Sequence, residues 1–431
     1  MNGRGVLWAC LCSYGLLAAA MTPSLANGAL TLDEDLTLEA LKRLLDESVS
    51  TLSIHGVGNP TRNSCSEIDL STLELGRTCG SPLGQPCFDM SRCVPVSQGG
   101  PGPTIYVYDH DCTLKKSSEL GFATEVDNGR MLSPIWRDAA RDLGVLAEEY
   151  DTACAFIEVN MRLPKDPPCA TKSPLWNNGK NHLILDFTDS SRETRPTVAS
   201  SVAMEAASNV RTCMYRSGFD MSVPLSPEHL FPQFAEVPAI YRKYFLTVKG
   251  AVYLGGTGSE ERMSLVPLHD PSNGVVSSMH CFEVHQEHLL PENVDFCETL
   301  KARYNDYDYA DLMNTTFGLV PGGRSQGTYR LAEVMSAGAL PVFVGRDIVR
   351  PFREQISWPL FSFIFTPEEV GSVMIDTLRT VSEEMLEQMQ HASRQAYLEI
   401  YGDKPGKGQT RAYAHISRNV IRELVRRIGH Q

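Results

Sequence analysis

The residues best spaced for chemistry fall in one stretch, Leu319–Gly345, which reads LVPGGRSQGTYRLAEVMSAGALPVFVG. Gly322, Gly323 and Gly327 let the backbone come close to a ligand and take up positive φ. Thr328 suits the N-cap of the helix that follows, and the free N–H groups and positive dipole end there suit a diphosphate. Arg324 in the loop and Arg330 in the first turn add fixed charge with the fork geometry that phosphate oxygens accept. Glu333 shares a helix face with Arg330 and is placed to accept ribose hydroxyls, as an acidic residue does in dinucleotide folds. The bland alternative is an ordinary glycine loop followed by a surface Arg330–Glu333 ion pair. With no G-K-[ST] and no G-x-G-x-x-G at the first strand, a P-loop and a standard NAD site are both excluded.

A proton acceptor for such a site has to be an Asp, Glu or His in a cleft. Asp109, His110, Asp111 and His182 end or begin strands of the first half and are the candidates, Asp109 and His182 foremost. Each has a structural alternative: His182 as a hydrogen-bonded core histidine, Asp109 as a strand terminator. Asp109-His110-Asp111 also reads D-x-D, a divalent-ion pattern, but Asp33-Glu34-Asp35 and Asp306-Tyr307-Asp308 match it equally, so no metal is expected. Trp136, Trp176 and Trp358 could stack on sugars, although core packing is their default. The Tyr304–Tyr309 run reads as a helix start and solvated surface.

Alternating strands and helices must position these groups. Thr104–Tyr108, Ala153–Val159 and His182–Phe187 read as strands in the first half. Lys243–Val248, Thr316–Val320, Leu340–Val344 and Phe361–Phe365 do so in the second, with helices at 329–337, 367–380, 382–401 and 410–428. The pattern predicts an α/β protein with parallel sheets, as two Rossmann-like halves facing each other across a cleft. The expected organisation is a signal peptide or signal-anchor at 1–26, a Cys-containing stem at 27–100, an acceptor domain at 101–240, a nucleotide-sugar domain at 241–405, and a helix at 406–431 packing back on the body. An amphipathic stripe, Leu36, Leu38, Leu41, Leu44, Leu45 and Val49, falls in the stem.

The chain has 431 residues, 39 basic against 52 acidic, for a net charge of −13. Nucleic acid is therefore a poor partner, because binding it takes basic surface. Gly5 to Met21 is apolar and Ser24-Leu25-Ala26 offers a cleavage site, so the chain is expected to enter the Golgi or ER lumen, anchored by its N-terminus or secreted. Ten cysteines remain outside that segment, without metal spacing, which favours disulfides. A Cys281–Cys297 bridge would close a polar loop. Asn314-Thr315-Thr316 is the allowed sequon.

The string PGGRSQGTYRLAEVMSAGALPVFVG, followed by Leu360-Phe361-Ser362-Phe363, resembles the exostosin family, glycosyltransferase family forty-seven. Cys87-Phe88-Asp89 with Cys93, Ser173–Leu183, Tyr253-Leu254 with Gly256–Arg262, and Tyr307-Asp308-Tyr309 through the sequon are similar to it as well. The likeness spans about residues 79–430 and is nearest to the N-terminal transferase half of the two-domain members. It implies a GT-B fold, a UDP-sugar donor, a polysaccharide or proteoglycan glycan acceptor, inversion without a metal or other cofactor, and glucuronic acid as the sugar, as in heparan-sulfate-type synthesis. It also implies a lumenal setting and homo- or hetero-oligomers with another exostosin-like transferase. By likeness, Arg262, Gly323, Arg324, Gly327, Thr328, Arg330 and Glu333 bind the donor, and the bridges are Cys79–Cys87, Cys93–Cys154 and Cys281–Cys297. One departure is that Gly322 stands where the family usually carries Arg. That departure keeps open a non-catalytic partner that supports another transferase, beside a secreted polysaccharide-binding protein. Alanine at Arg330 or Glu333 is expected to remove donor turnover and to spare the fold.

Overall fold

The computed structural model describes residues 88–93, 102–109, 112, 114–116, 132–160, 168–187, 202–208, 210–212, 215–253, 259–282, 291–323, 326–402 and 409–429. The expected leader at 1–26, most of the stem, Cys79, Cys87, His110, Asp111 and Arg324 lie outside these residues.

Ten strands among the described residues form two sheets. β1 (Ile105–Val107), β2 (Ala155–Asn160), β3 (His182–Asp186), β4 (Met204–Ala207) and β5 (Met221–Ser222) lie side by side in chain order, and every pairing is parallel. β6 (Tyr244–Val252), β7 (Val275–Cys281), β8 (Thr315–Pro321), β9 (Leu340–Val344) and β10 (Phe363–Phe365) make the second sheet, ordered β10-β9-β8-β6-β7 and likewise parallel. Parallel strands are covered on both faces, which is why β3, β8 and β9 are buried along their whole length and read as apolar runs. β4, β5 and β7 add to the strands expected from the sequence.

The helices are α1 (Leu132–Asp142), α2 (Ser259–Met263), α3 (Pro291–Asn305), α4 (Arg330–Ser336), α5 (Ser372–Arg379), α6 (Glu383–Tyr401) and α7 (Gln409–Gly429). Ser382 caps α6, its hydroxyl accepting from the Met385 N–H at 3.2 Å. α7 buries Tyr413, Ile416, Val420, Ile421, Leu424 and Ile428 and returns to the first sheet unit. Tyr413 meets Phe187 edge-on at 4.9 Å, and Arg427 donates to the Asp220 carbonyl at 3.0 Å. None of the described helices is long and apolar enough to cross a membrane.

Disulfides join Cys93 to Cys154, Cys112 to Cys169 and Cys281 to Cys297. Cys93 belongs to a short segment sewn to the first sheet by Asn181. That side chain accepts from the Asp89 N–H at 2.6 Å and donates to the Cys154 carbonyl at 2.7 Å. The Ser173–Leu183 motif is thus scaffold for the entry into β3. Trp136 and Trp358 are wholly buried in the core.

α4 sits directly on β8, and Gly318 makes this approach possible. A Cβ there would stand 2.6 Å from both γ-methyls of Val334. Gly318→Ala should therefore cost about 1–3 kcal/mol, read as a lower urea midpoint. Adding Val334→Ala should recover part of that loss, and an unchanged midpoint in the single variant would contradict the packing.

Candidate functional site

In open α/β sheets ligands sit beyond the carboxyl ends of the strands, where the strand order reverses. In the second sheet the chain leaves β6 for β7 on one side and then crosses to β8 on the other. The switch point is the pair β6 and β8, which end at Val252 and Pro321.

Arg262, on α2, spans that gap. Its Nε donates to the Gly322 carbonyl at 2.8 Å and its Nη1 to the Ala251 carbonyl at 2.8 Å, so one side chain ties the two strand ends together. The guanidinium lies 5.1 Å from the Tyr253 ring centroid. Burial lowers its pKa from the usual arginine value. Gly322 extends the ladder by donating to the Val344 carbonyl at 3.3 Å, and Gly323 beside it is buried. The loop base is thus held from two sides before Arg324.

Gly327 closes the loop against the first sheet. A Cβ there would lie 2.6 Å from the carbonyl oxygen of Ser208, which follows β4. This residue's lack of a side chain is used for contact between the two sheet units. Beside it, Thr212 donates to the Asp347 carbonyl at 3.0 Å, and Ser222 Oγ donates to the Val349 carbonyl at 2.9 Å. Thr328 stands one position outside the expected cap: α4 begins at Arg330 with Tyr329 as N-cap, and Thr328 Oγ1 accepts from the Arg330 N–H at 3.3 Å.

Arg330 and Glu333 are inside the protein, which sets aside the bland alternative of a surface ion pair. Arg330 donates to the carbonyls of Leu319 at 2.8 Å, Lys249 at 3.4 Å and Thr247 at 3.4 Å, and to the Tyr309 hydroxyl at 3.3 Å. Tyr309 in turn donates to Glu333. Burial pushes the Glu333 carboxyl up, against the lowering pull of Tyr309 and Arg330. The phenol therefore stands between the two charges, and the Tyr304–Tyr309 run is more than solvated surface. A buried guanidinium is tolerable only because its donors are used. They bind α4 to β6 and β8 beneath the glycine loop.

His182 is a core residue. Its Nδ1 lies 2.9 Å from the Lys180 carbonyl and its Nε2 3.1 Å from the Tyr108 hydroxyl. The ring stacks on Phe156 at 4.8 Å, and burial brings its pKa down to about 4. It also starts β3, at the end of a parallel sheet opposite the ligand side. Asp109 follows β1 at the correct end and interacts with Arg137. Sequence reasoning passed over Glu261, the neighbour of Arg262. Its Cγ is 3.5 Å from where a Cβ on Gly345 would stand, and burial raises its pKa while Arg211 and Arg346 oppose this. The string Glu260-Glu261-Arg262 was the available signal. Among the described residues, the side chains grouped closely enough to hold a metal are Cys112, Glu158 and Cys169. The two sulfurs are bonded to each other, and the Glu158 oxygens accept from the N–H groups of Cys169 and Ala170. Asn314, half-buried, caps its turn and its side-chain oxygen accepts from the Lys243 N–H at 3.4 Å.

Two parallel α/β units whose loops meet beyond their strand ends, with a last helix returning to the first unit, make the GT-B plan of glycosyltransferases. The family model described as Exostosin GT47 domain matches residues 162–381, and the chain belongs to that glycosyltransferase family. It is 28% identical to Exostosin-1 of Drosophila melanogaster over 326 residues, 70% of this chain and 40% of that protein. It is 34% identical to Exostosin-1b of Danio rerio over 314 residues, 67% of this chain and 38% of that one. The chain thus aligns with well under half the length of these relatives. The solved structure of MurG from Acinetobacter baumannii is 16% identical, with 62% of this chain and 73% of its own covered at a TM-score of 0.30.

Arg330→Ala should cost about 3–5 kcal/mol of stability, seen as a large fall in Tm, with activity lost along with the fold. A variant with wild-type Tm and no turnover would instead make Arg330 a donor contact.

Proposed function

We propose that the chain transfers a sugar, glucuronic acid by the likeness to the exostosins, from a UDP-sugar to a polysaccharide or proteoglycan glycan, with inversion and without a metal. The observation that carries this reading is the switch point of the second sheet, where Arg262 holds the strand ends and brings its charge, and where the glycine loop begins at Gly322 and Gly323. The acceptor oxygen forms a bond to the anomeric carbon while the bond from that carbon to the β-phosphate oxygen breaks. UDP leaves with the electron pair, and a carboxylate takes the acceptor's proton. Backbone N–H groups and arginines then stabilise the charge that grows on the leaving diphosphate. We take Asp109, after β1, and Glu261, whose raised pKa suits a base, as the candidates for receiving the proton. The setting is the lumen of the Golgi or ER, with residues 1–26 as signal or anchor and Asn314 glycosylated.

A second reading, a partner that supports another transferase, is favoured by the commitment of Arg330's donors to protein carbonyls, together with Gly322 in place of Arg. UDP release from a panel of UDP-sugars with a glycan acceptor separates the two. The enzyme reading expects turnover by the isolated chain that survives chelator. It also expects at least about a 100-fold loss of kcat in one of Asp109→Asn and Glu261→Gln, with Tm unchanged. Turnover only when another exostosin-like chain is added favours the partner. Chelator-sensitive activity restored by Mn²⁺ would overturn the metal-free mechanism.

A further inference from the structure

Ser208 stands where β4 ends, and its N–H donates to the Asp186 carbonyl at 3.3 Å, so the β3–β4 ladder fixes its position. The residue is 7% exposed. Its hydroxyl lies 3.1 Å from where a Cβ on Gly327 would be, so it is directed at the loop that follows β8 in the other sheet. Yet this buried hydroxyl makes no hydrogen bond among the described residues. One residue before Gly327, Gln326 carries a buried side-chain oxygen that also makes none. Buried polar atoms of this kind cost about 1–3 kcal/mol each unless something pairs with them. One such atom lies on each sheet unit, and Gly327, the chain neighbour of Gln326, packs against Ser208.

The geometry points to Ser208 and Gln326 as a subsite for a sugar hydroxyl. The serine hydroxyl can donate to a sugar oxygen, and the glutamine oxygen can accept from a sugar O–H. Both groups are neutral, which suits a hydroxyl and not a phosphate. With the diphosphate at the β6 and β8 ends, the subsite takes the donor's sugar on the side that faces the first sheet. The hydroxyl therefore belongs to the transferred sugar or to the terminal residue of the acceptor. Gly327 is the companion feature, since any side chain there would push the loop off Ser208. This inference rests on the UDP-sugar reading given above.

The test is calorimetric titration of UDP and of UDP-glucuronic acid into the wild type, Ser208→Ala and Gln326→Leu, with Tm and the KM for a glycan acceptor measured alongside. Both variants should keep at least the wild-type Tm, keep the wild-type UDP affinity, and bind UDP-glucuronic acid about five- to tenfold more weakly, which places the transferred sugar in the subsite. Unchanged UDP-sugar affinity with a similar rise in acceptor KM places the acceptor there. Wild-type affinities and KM in both variants would overturn the subsite and leave the two atoms to ordered water. A wild type that binds neither UDP nor the UDP-sugar would overturn the donor reading itself, and the subsite with it.

Discussion

The ligand side of the second sheet is braced by one half-buried cation. Arg262 donates to carbonyls at the ends of β6 and β8 and so fixes the width of the gap between them. Hydrogen bonding across adjacent parallel strands stops where the strands diverge, and backbone carbonyls there need a partner. A guanidinium supplies donors to both at once and brings positive charge to the point where an anion would lie. The glycine loop springs from this braced edge, so its position follows from a contact with a residue 60 positions earlier in the chain.

Beneath the loop lies a second polar layer, in which Arg330, Tyr309 and Glu333 are joined through the phenol. The two layers have different tasks. Both donate to the protein's own carbonyls, but Arg262 joins the strand ends at the base of the loop, whereas Arg330 locks α4 to the sheet. The fixed charge that the loop can offer a ligand is correspondingly smaller than its arginine content suggests. The close approach of Gly327 to Ser208 adds a constraint of another kind. It makes the loop a point of contact for both sheet units.

Much of this was legible in the sequence. β8, the glycine loop, α4 and β9 are punctuated by turn residues and strongly periodic, and they appear within a residue or two of where the pattern puts them. β7 was hidden because both its faces are buried and each carries a serine, Ser277 on one and Ser278 on the other, which break the apolar run that a parallel strand usually shows. β4 and β5 were hidden because four and two residues are too short for any periodicity to register. The spacing of Arg330 and Glu333 revealed their common helix face but not its direction. What turns that face inward is Tyr309, together with carbonyls of β6 and β8 that lie far away along the chain. For His182 the structural alternative was also legible: it opens its strand, and ligands gather where parallel strands end. The Cys112–Cys169 bridge, 57 residues apart, carried no local signal at all.

The central claim is that the donor diphosphate rests at the switch point between β6 and β8. The structure of the chain solved with UDP bound tests it most directly. The account predicts the diphosphate against the backbone of Gly322 and Gly323, beside Arg262, with the uridine on the second sheet. A nucleotide seated elsewhere, or a switch point filled by protein side chains in the complex, would contradict it.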